Sequence, residues 1–156
     1  MPLDGLWKLS YDSHAIDILR NAKYAIPLIQ SIHLLGITLL LASTVIFNLR
    51  LLNLGLRDLP LPVLAANVWR WAKAGLAVAV VSGFFVFLPD PARYAANTAF
   101  LTKMCLLILA SLFQFTVFRR VVLGRTAGTN QSAVAIVSLT LWFAVGWAGR
   151  AIAFLG

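Results

Sequence analysis

The sequence predicts an all-α protein: a four-transmembrane-helix bundle with an N-terminal amphipathic interfacial helix. Three observations carry this expectation. Of 156 residues, 61% are hydrophobic and only 12% are charged, whereas a soluble domain carries about a quarter charged residues. The mean hydropathy is +0.89. Four segments also reach the roughly 20 residues that a helix needs to cross about 30 Å of hydrocarbon. No length remains for a second domain, so residues 1–156 read as one integral membrane domain.

In residues 1–24, Leu3, Leu6, Trp7, Tyr11, His14 and Ile18 recur at helical spacing, with Asp4, Lys8 and Asp12 to one side. That is the pattern of a helix lying in the headgroup plane, interrupted by Asp17 near its apolar face and by Leu9 and Ile16 opposite. The stretch mixes charges of both signs and lacks the continuous apolar core of a signal peptide. The first span is therefore expected to direct its own insertion.

The spans follow at about 25–47, 69–88, 99–118 and 132–155. The first holds no fixed charge, and only His33 in it can acquire one. The second carries Arg70 and Lys73 in its first turns and ends before Pro89. The third has Lys103 near its start and the fourth has Arg150 near its end. Backbone groups in lipid must be satisfied within the segment, and period-2 barrel patterning is absent, so the spans are helices. Residues 49–62, with Gly55 and two prolines, read as a turn or interfacial stretch. Residues 89–98 supply two more prolines and Thr98 as an N-cap. Residues 119–131 are basic and contain glycine.

Asp4, Asp12, Asp17, Asp58 and Asp90 are the only acidic residues, against thirteen Lys and Arg, for a formal net charge of +8. The cations cluster at span ends, where they anchor helices and meet anionic headgroups. No basic stripe suited to nucleic acid is left outside the spans. The first and third connections, with the start of the second helix, hold Arg50, Arg57, Arg70, Lys73, Arg119, Arg120 and Arg125. The opposite side holds Lys8, Arg20, Lys23, Arg93, Lys103 and Arg150. Since Lys103 and Arg150 lie inside spans and Lys8 far from any span end, the cation rule inclines both termini to the non-cytoplasmic side. Trp7, Trp69, Trp71, Trp142 and Trp147 read as interface anchors and packing groups. Gly75 with Gly83, and Gly146 with Gly149, suit close helix approach. Cys105 is a lone small side chain expected to be buried, with no internal disulfide partner.

An ionisable group inside a span costs at least about 2.5 kcal/mol for Lys or Arg at mid-membrane, which makes it a functional candidate. His33 lies about 12 Å into helix 1, Lys103 about 7 Å into helix 3 and Arg150 about 9 Å from the end of helix 4, at the helical rise per residue. With alternating spans, all three fall in one leaflet. A neutral imidazole on an inner bundle face is a common axial ligand for heme iron, two cations would suit porphyrin propionates, and Phe84, Phe85 and Phe87 would supply apolar walls. Tyr94 completes the expected polar edge. The plain readings stand beside these: His33 as a packing residue bonded to a neighbouring helix, Lys103 and Arg150 as snorkelling cations, Met104 as core filler. A second imidazole is available only from His14, if the N-terminal helix folds under the bundle. The spans contain no carboxylate for an Asp/Glu proton relay, and neither nucleophile–base pairs nor zinc spacings occur. No inverted repeat supports a transporter.

The run IPLIQSIHLLGITLLLASTVIFNLRLL (26–52) resembles the opening of an uncharacterised family of small bacterial four-pass membrane proteins with a His-Leu-Leu-Gly core and an Asp-Leu-Arg-Leu-Leu helix end. SGFFVF (82–87), RYAANTAFLTKMCLL (93–107) and AGRAIAF (148–154) extend the likeness over nearly the whole chain, and Asn48 stands where that family usually has Asp. The layout is distantly similar to membrane protoporphyrinogen oxidase and copper-resistance membrane domains. That resemblance makes His33, Arg50 and Lys103 counterparts of those proteins' first-span His, its following Arg and a later Lys, and implies heme; the additional membrane histidines common in such proteins are missing here. The expectation is a heme b-binding or redox-associated subunit of an electron-transfer assembly in the bacterial inner membrane, with His33 as metal ligand and Lys103, Arg150 and Tyr94 at the cofactor's polar edge. Its partners would be the lipid bilayer and other membrane proteins or further copies of the chain. The alternative is a non-catalytic accessory subunit packing against partner membrane proteins.

Overall fold

The computed structural model describes residues 24–122, 125 and 130–155, and the expected N-terminal interfacial helix, with Lys8 and His14, lies outside them. The fold is all-α. Its elements are α1 (Ala25–Leu51), α2 (Leu61–Phe87), the short α3 (Pro91–Ala96), α4 (Thr98–Val122) and α5 (Gln131–Leu155). α1, α2, α4 and α5 are long and apolar enough to cross a membrane. At 27 residues each, α1 and α2 span about 40 Å, so their ends extend beyond the hydrocarbon.

The first and third long helices run about one turn past their expected ends at 47 and 118, to Leu51 and Val122, and two helix starts differ from the sequence expectation for local reasons. α2 begins at Leu61 rather than near Trp69, because Pro60 takes the N-cap position and Pro62 falls in the first turn, where a missing N–H costs nothing and the fixed φ suits a helix. Arg70 and Lys73 consequently lie in the third and fourth turns. Thr98 is not the N-cap of α4. Asn97 is, its side-chain Oδ1 accepting from the backbone N–H of Ala99 at 2.9 Å and of Phe100 at 3.2 Å. Asn97→Ala is expected to lower thermal stability by about 1 kcal/mol, the usual worth of such a cap, with Thr98→Ala near neutral; differential scanning fluorimetry of the two variants checks this.

The α1–α2 turn is organised by Arg50. Its Nε donates to the Leu59 carbonyl at 3.1 Å and its two terminal nitrogens to Asn53 Oδ1 and the Arg57 carbonyl. These bonds fix a loop in which Asn53 and Leu56, not Gly55, take positive φ. Leu56 in that region carries a steric penalty of about 1 kcal/mol, which the Arg50 bonds offset.

α1 and α2 pack as an antiparallel pair whose backbones touch at Gly36 and Gly75. A Cβ at Gly75 would stand 2.6 Å from Leu40 N, and one at Gly36 would stand 2.7 Å from Ala79 N. The close pair is thus Gly36 with Gly75, and Gly83 and Gly149 serve other neighbours. Gly146 faces open space. α4 packs along α5, and contacts between α1 and α5 and between α2 and α4 close the ring.

Small residues take several of the buried positions, and many large apolar side chains point outward. Ala65, Ala72, Ala110 and Ala135 are inside, while Trp147 is 82% exposed and Leu35, Ile108, Leu112 and Phe143 also point outward. Large apolar groups outside and small ones between helices suit a bundle solvated by lipid. Cys105 belongs to this outer surface and is exposed rather than buried. It shares a stripe of α4 with Leu101, Ile108 and Leu112, and because both faces of the helix are apolar, hydropathy alone did not separate them. The larger core residues gather toward the α1–α2 turn, where Phe47 stacks on Phe118 at 4.3 Å and Trp69 meets Phe118 edge-on.

Candidate functional site at the His33 end of the bundle

The start of α1, the end of α2, the start of α4 and the end of α5 share one end of the bundle. There the Gly36 crossing draws α1 so close to α2 that the half-buried His33 ring rests on α2. Gly83 makes the space: a Cβ at that position would stand 3.0 Å from His33 Cε1.

The ring orientation follows from Ser82, which is buried. Its hydroxyl donates to the Val78 carbonyl one turn back, at 2.5 Å, and its oxygen lies 3.1 Å from His33 Nδ1. A hydroxyl has a single proton: with it on Val78 the Ser82 oxygen accepts from Nδ1, and with it turned to the ring Nδ1 accepts instead. In the first of these tautomers Nε2 is the nitrogen with the lone pair.

Lys103 reaches the same neighbourhood from α4. Its ammonium is near enough to act on the imidazole through space, and its methylenes lie along Gly149 of α5, where a Cβ would be 3.5 Å from Cε. Lys103 thus lies within electrostatic range of His33. Arg150 is exposed: it stands 5.6 Å from the Phe154 ring and lines an outward groove with Trp147, Ala151 and Phe154. Tyr94 belongs to an aromatic cluster with Phe87 and Phe100. Phe84 and Phe85 are exposed.

A histidine that ligates a metal through one nitrogen commonly donates its other N–H to an acceptor that sets the tautomer. His33 has Ser82 Oγ as such a neighbour, and in its Nδ1–H tautomer the ring has the donor set of one axial heme ligand. Among the described residues, no three His, Cys, Asp or Glu side chains converge as a metal cage.

Sequence reasoning missed Ser82, the residue that defines the imidazole. It also passed over a second polar group nearer the α1–α2 turn. There Asn48 Nδ2 donates to Ser138 Oγ at 2.9 Å, and Ser138 Oγ donates to Gln114 Oε1. All three are completely buried. Uncharged amides in an apolar span were the available signal.

The model of a family of unknown function, DUF6644, matches residues 19–155. No curated protein and no solved structure matches the chain.

Proposed function

The chain belongs to this family of unknown function, and from the arrangement of its own residues we propose that it is a b-type heme-binding subunit of an electron-transfer assembly in the bacterial cytoplasmic membrane. The observation that carries the reading is the His33 Nδ1 contact with Ser82 Oγ at 3.1 Å: with the hydroxyl proton on Val78, Nδ1 donates and Nε2 is left to ligate. Lys103, in a span without carboxylates, supplies a cation for a propionate and so gives a buried charge a reason to be there. Bound heme would supply one-electron redox chemistry; the chain's part is to fix the ligand, orient it and exclude water. Arg150 and Tyr94 flank the same end of the bundle and would extend the polar edge. His33 is the only imidazole among the described residues, and a second axial ligand would come from His14, outside them, or from a partner membrane protein. The cation distribution inclines the His33 end to the non-cytoplasmic side.

Protein purified from heme-replete cells should show a Soret band, and His33→Ala should abolish it while leaving the protein folded. A colourless wild type would reject the reading. The second reading, a non-catalytic accessory subunit, is favoured by one feature: the His33–Ser82 bond is by itself sufficient as interhelical glue. Under it His33→Ala would lower only stability or assembly with a partner.

A further inference from the structure

We propose that the bundle contains an internal water-binding site between α1, α4 and α5, formed by Thr44, Asn48, Gln114 and Trp142. The Asn48–Ser138–Gln114 chain leaves hydrogen-bonding capacity over. Asn48 Oδ1 and Gln114 Nε2 have no partner, nor do Thr44 Oγ1 and Trp142 Nε1, and the surface of all four atoms is buried. The residues themselves are 0 to 5% exposed. Turning over both amides together reverses the chain and changes which amide atoms are left without a partner, but not how many are left.

The helix directions bring these groups to neighbouring levels. Thr44 precedes Asn48 by one turn on α1, and Trp142 follows Ser138 by one turn on α5. Because α1 and α5 run antiparallel, both turns lead toward the His33 end and place Thr44 and Trp142 at a common level. One turn before Gln114 on α4 stands Ala110, also buried, whose small side chain takes up little of that layer.

The chemistry selects the ligand. Gln114 Nε2 and Trp142 Nε1 donate, Asn48 Oδ1 accepts, and the Thr44 hydroxyl does either. Two donors and two acceptors match the capacity of water, which needs between two and four polar partners to occupy a buried site. A cation would meet two N–H donors and no carboxylate; an anion would meet the Asn48 carbonyl oxygen. Lipid offers no substitute, since bulk water does not reach the hydrocarbon.

The test is cross-relaxation between water and the Trp142 indole N–H, in protein carrying 15N-indole tryptophan in lipid nanodiscs, with the resonance assigned by Trp142→Phe. Wild type should show a direct water cross-peak at this buried proton, separated by its rotating-frame sign from exchange through a hydroxyl. The near-isosteric Thr44→Val should weaken it at least several-fold without shifting the other tryptophan resonances. A folded wild type with no water cross-peak would overturn the proposal, as would a peak that Thr44→Val leaves unchanged. The result is independent of whether heme binds at His33.

Discussion

Gly75→Leu should prevent α1 and α2 from pairing. A Cβ at this position meets Leu40 N at 2.6 Å, the Gly36 carbonyl oxygen at 2.9 Å and Leu40 Cα at 3.0 Å. All three are backbone atoms, which cannot swing aside as a side chain would. Overpacking a well-filled core costs about 1–3 kcal/mol where neighbours can adjust; here the helices must separate, so about 3 kcal/mol or more is expected. Separation also withdraws Ser82 and Gly83 from His33. Steric-trapping measurements of helix-pair stability should show the loss, with Gly146→Leu, in open space, as a nearly neutral control.

Ser138→Ala carries the second largest expected effect. Its hydroxyl accepts from Asn48 and donates to Gln114, so its removal deprives two buried amides at once. Leaving a buried polar group unpaired costs about 1–3 kcal/mol, although hydrogen bonds between membrane helices average nearer 0.6 kcal/mol because the separated helices find other partners. The expected loss is therefore about 1–3 kcal/mol. The triple variant Asn48→Leu, Ser138→Ala, Gln114→Leu should lose less than the sum of the three single changes, because removing every member of a network leaves none of them unpaired. Chemical denaturation in mixed micelles checks the non-additivity.

The four long helices were legible because lipid imposes one rule on composition and length together. Their inner and outer faces were not. Cys105 shows why: with lipid outside and helices inside, both faces are apolar, so hydropathy does not separate them. The shared depth of His33 and Lys103 followed from counting residues along alternating helices. Ser82 did not, since a serine in a span usually bonds its own preceding turn; here that bond is present, and its consequence for Nδ1 depends on the Gly36–Gly75 register. The buried amides were overlooked because attention to charge passes over neutral groups that are also costly to leave unpaired in an apolar interior. Pro60 and Pro62 read as a break and proved to start a helix, a distinction set by position within the first turn.

Heme binding rests above all on His33 as the ligand. Titrating hemin into the wild-type protein and His33→Ala in lipid nanodiscs, followed at the Soret band, tests it most directly. Saturation at one heme per wild-type chain, with no saturable band in the variant, is the predicted result. Equal titration curves for the two proteins, or no saturation in either, would contradict it.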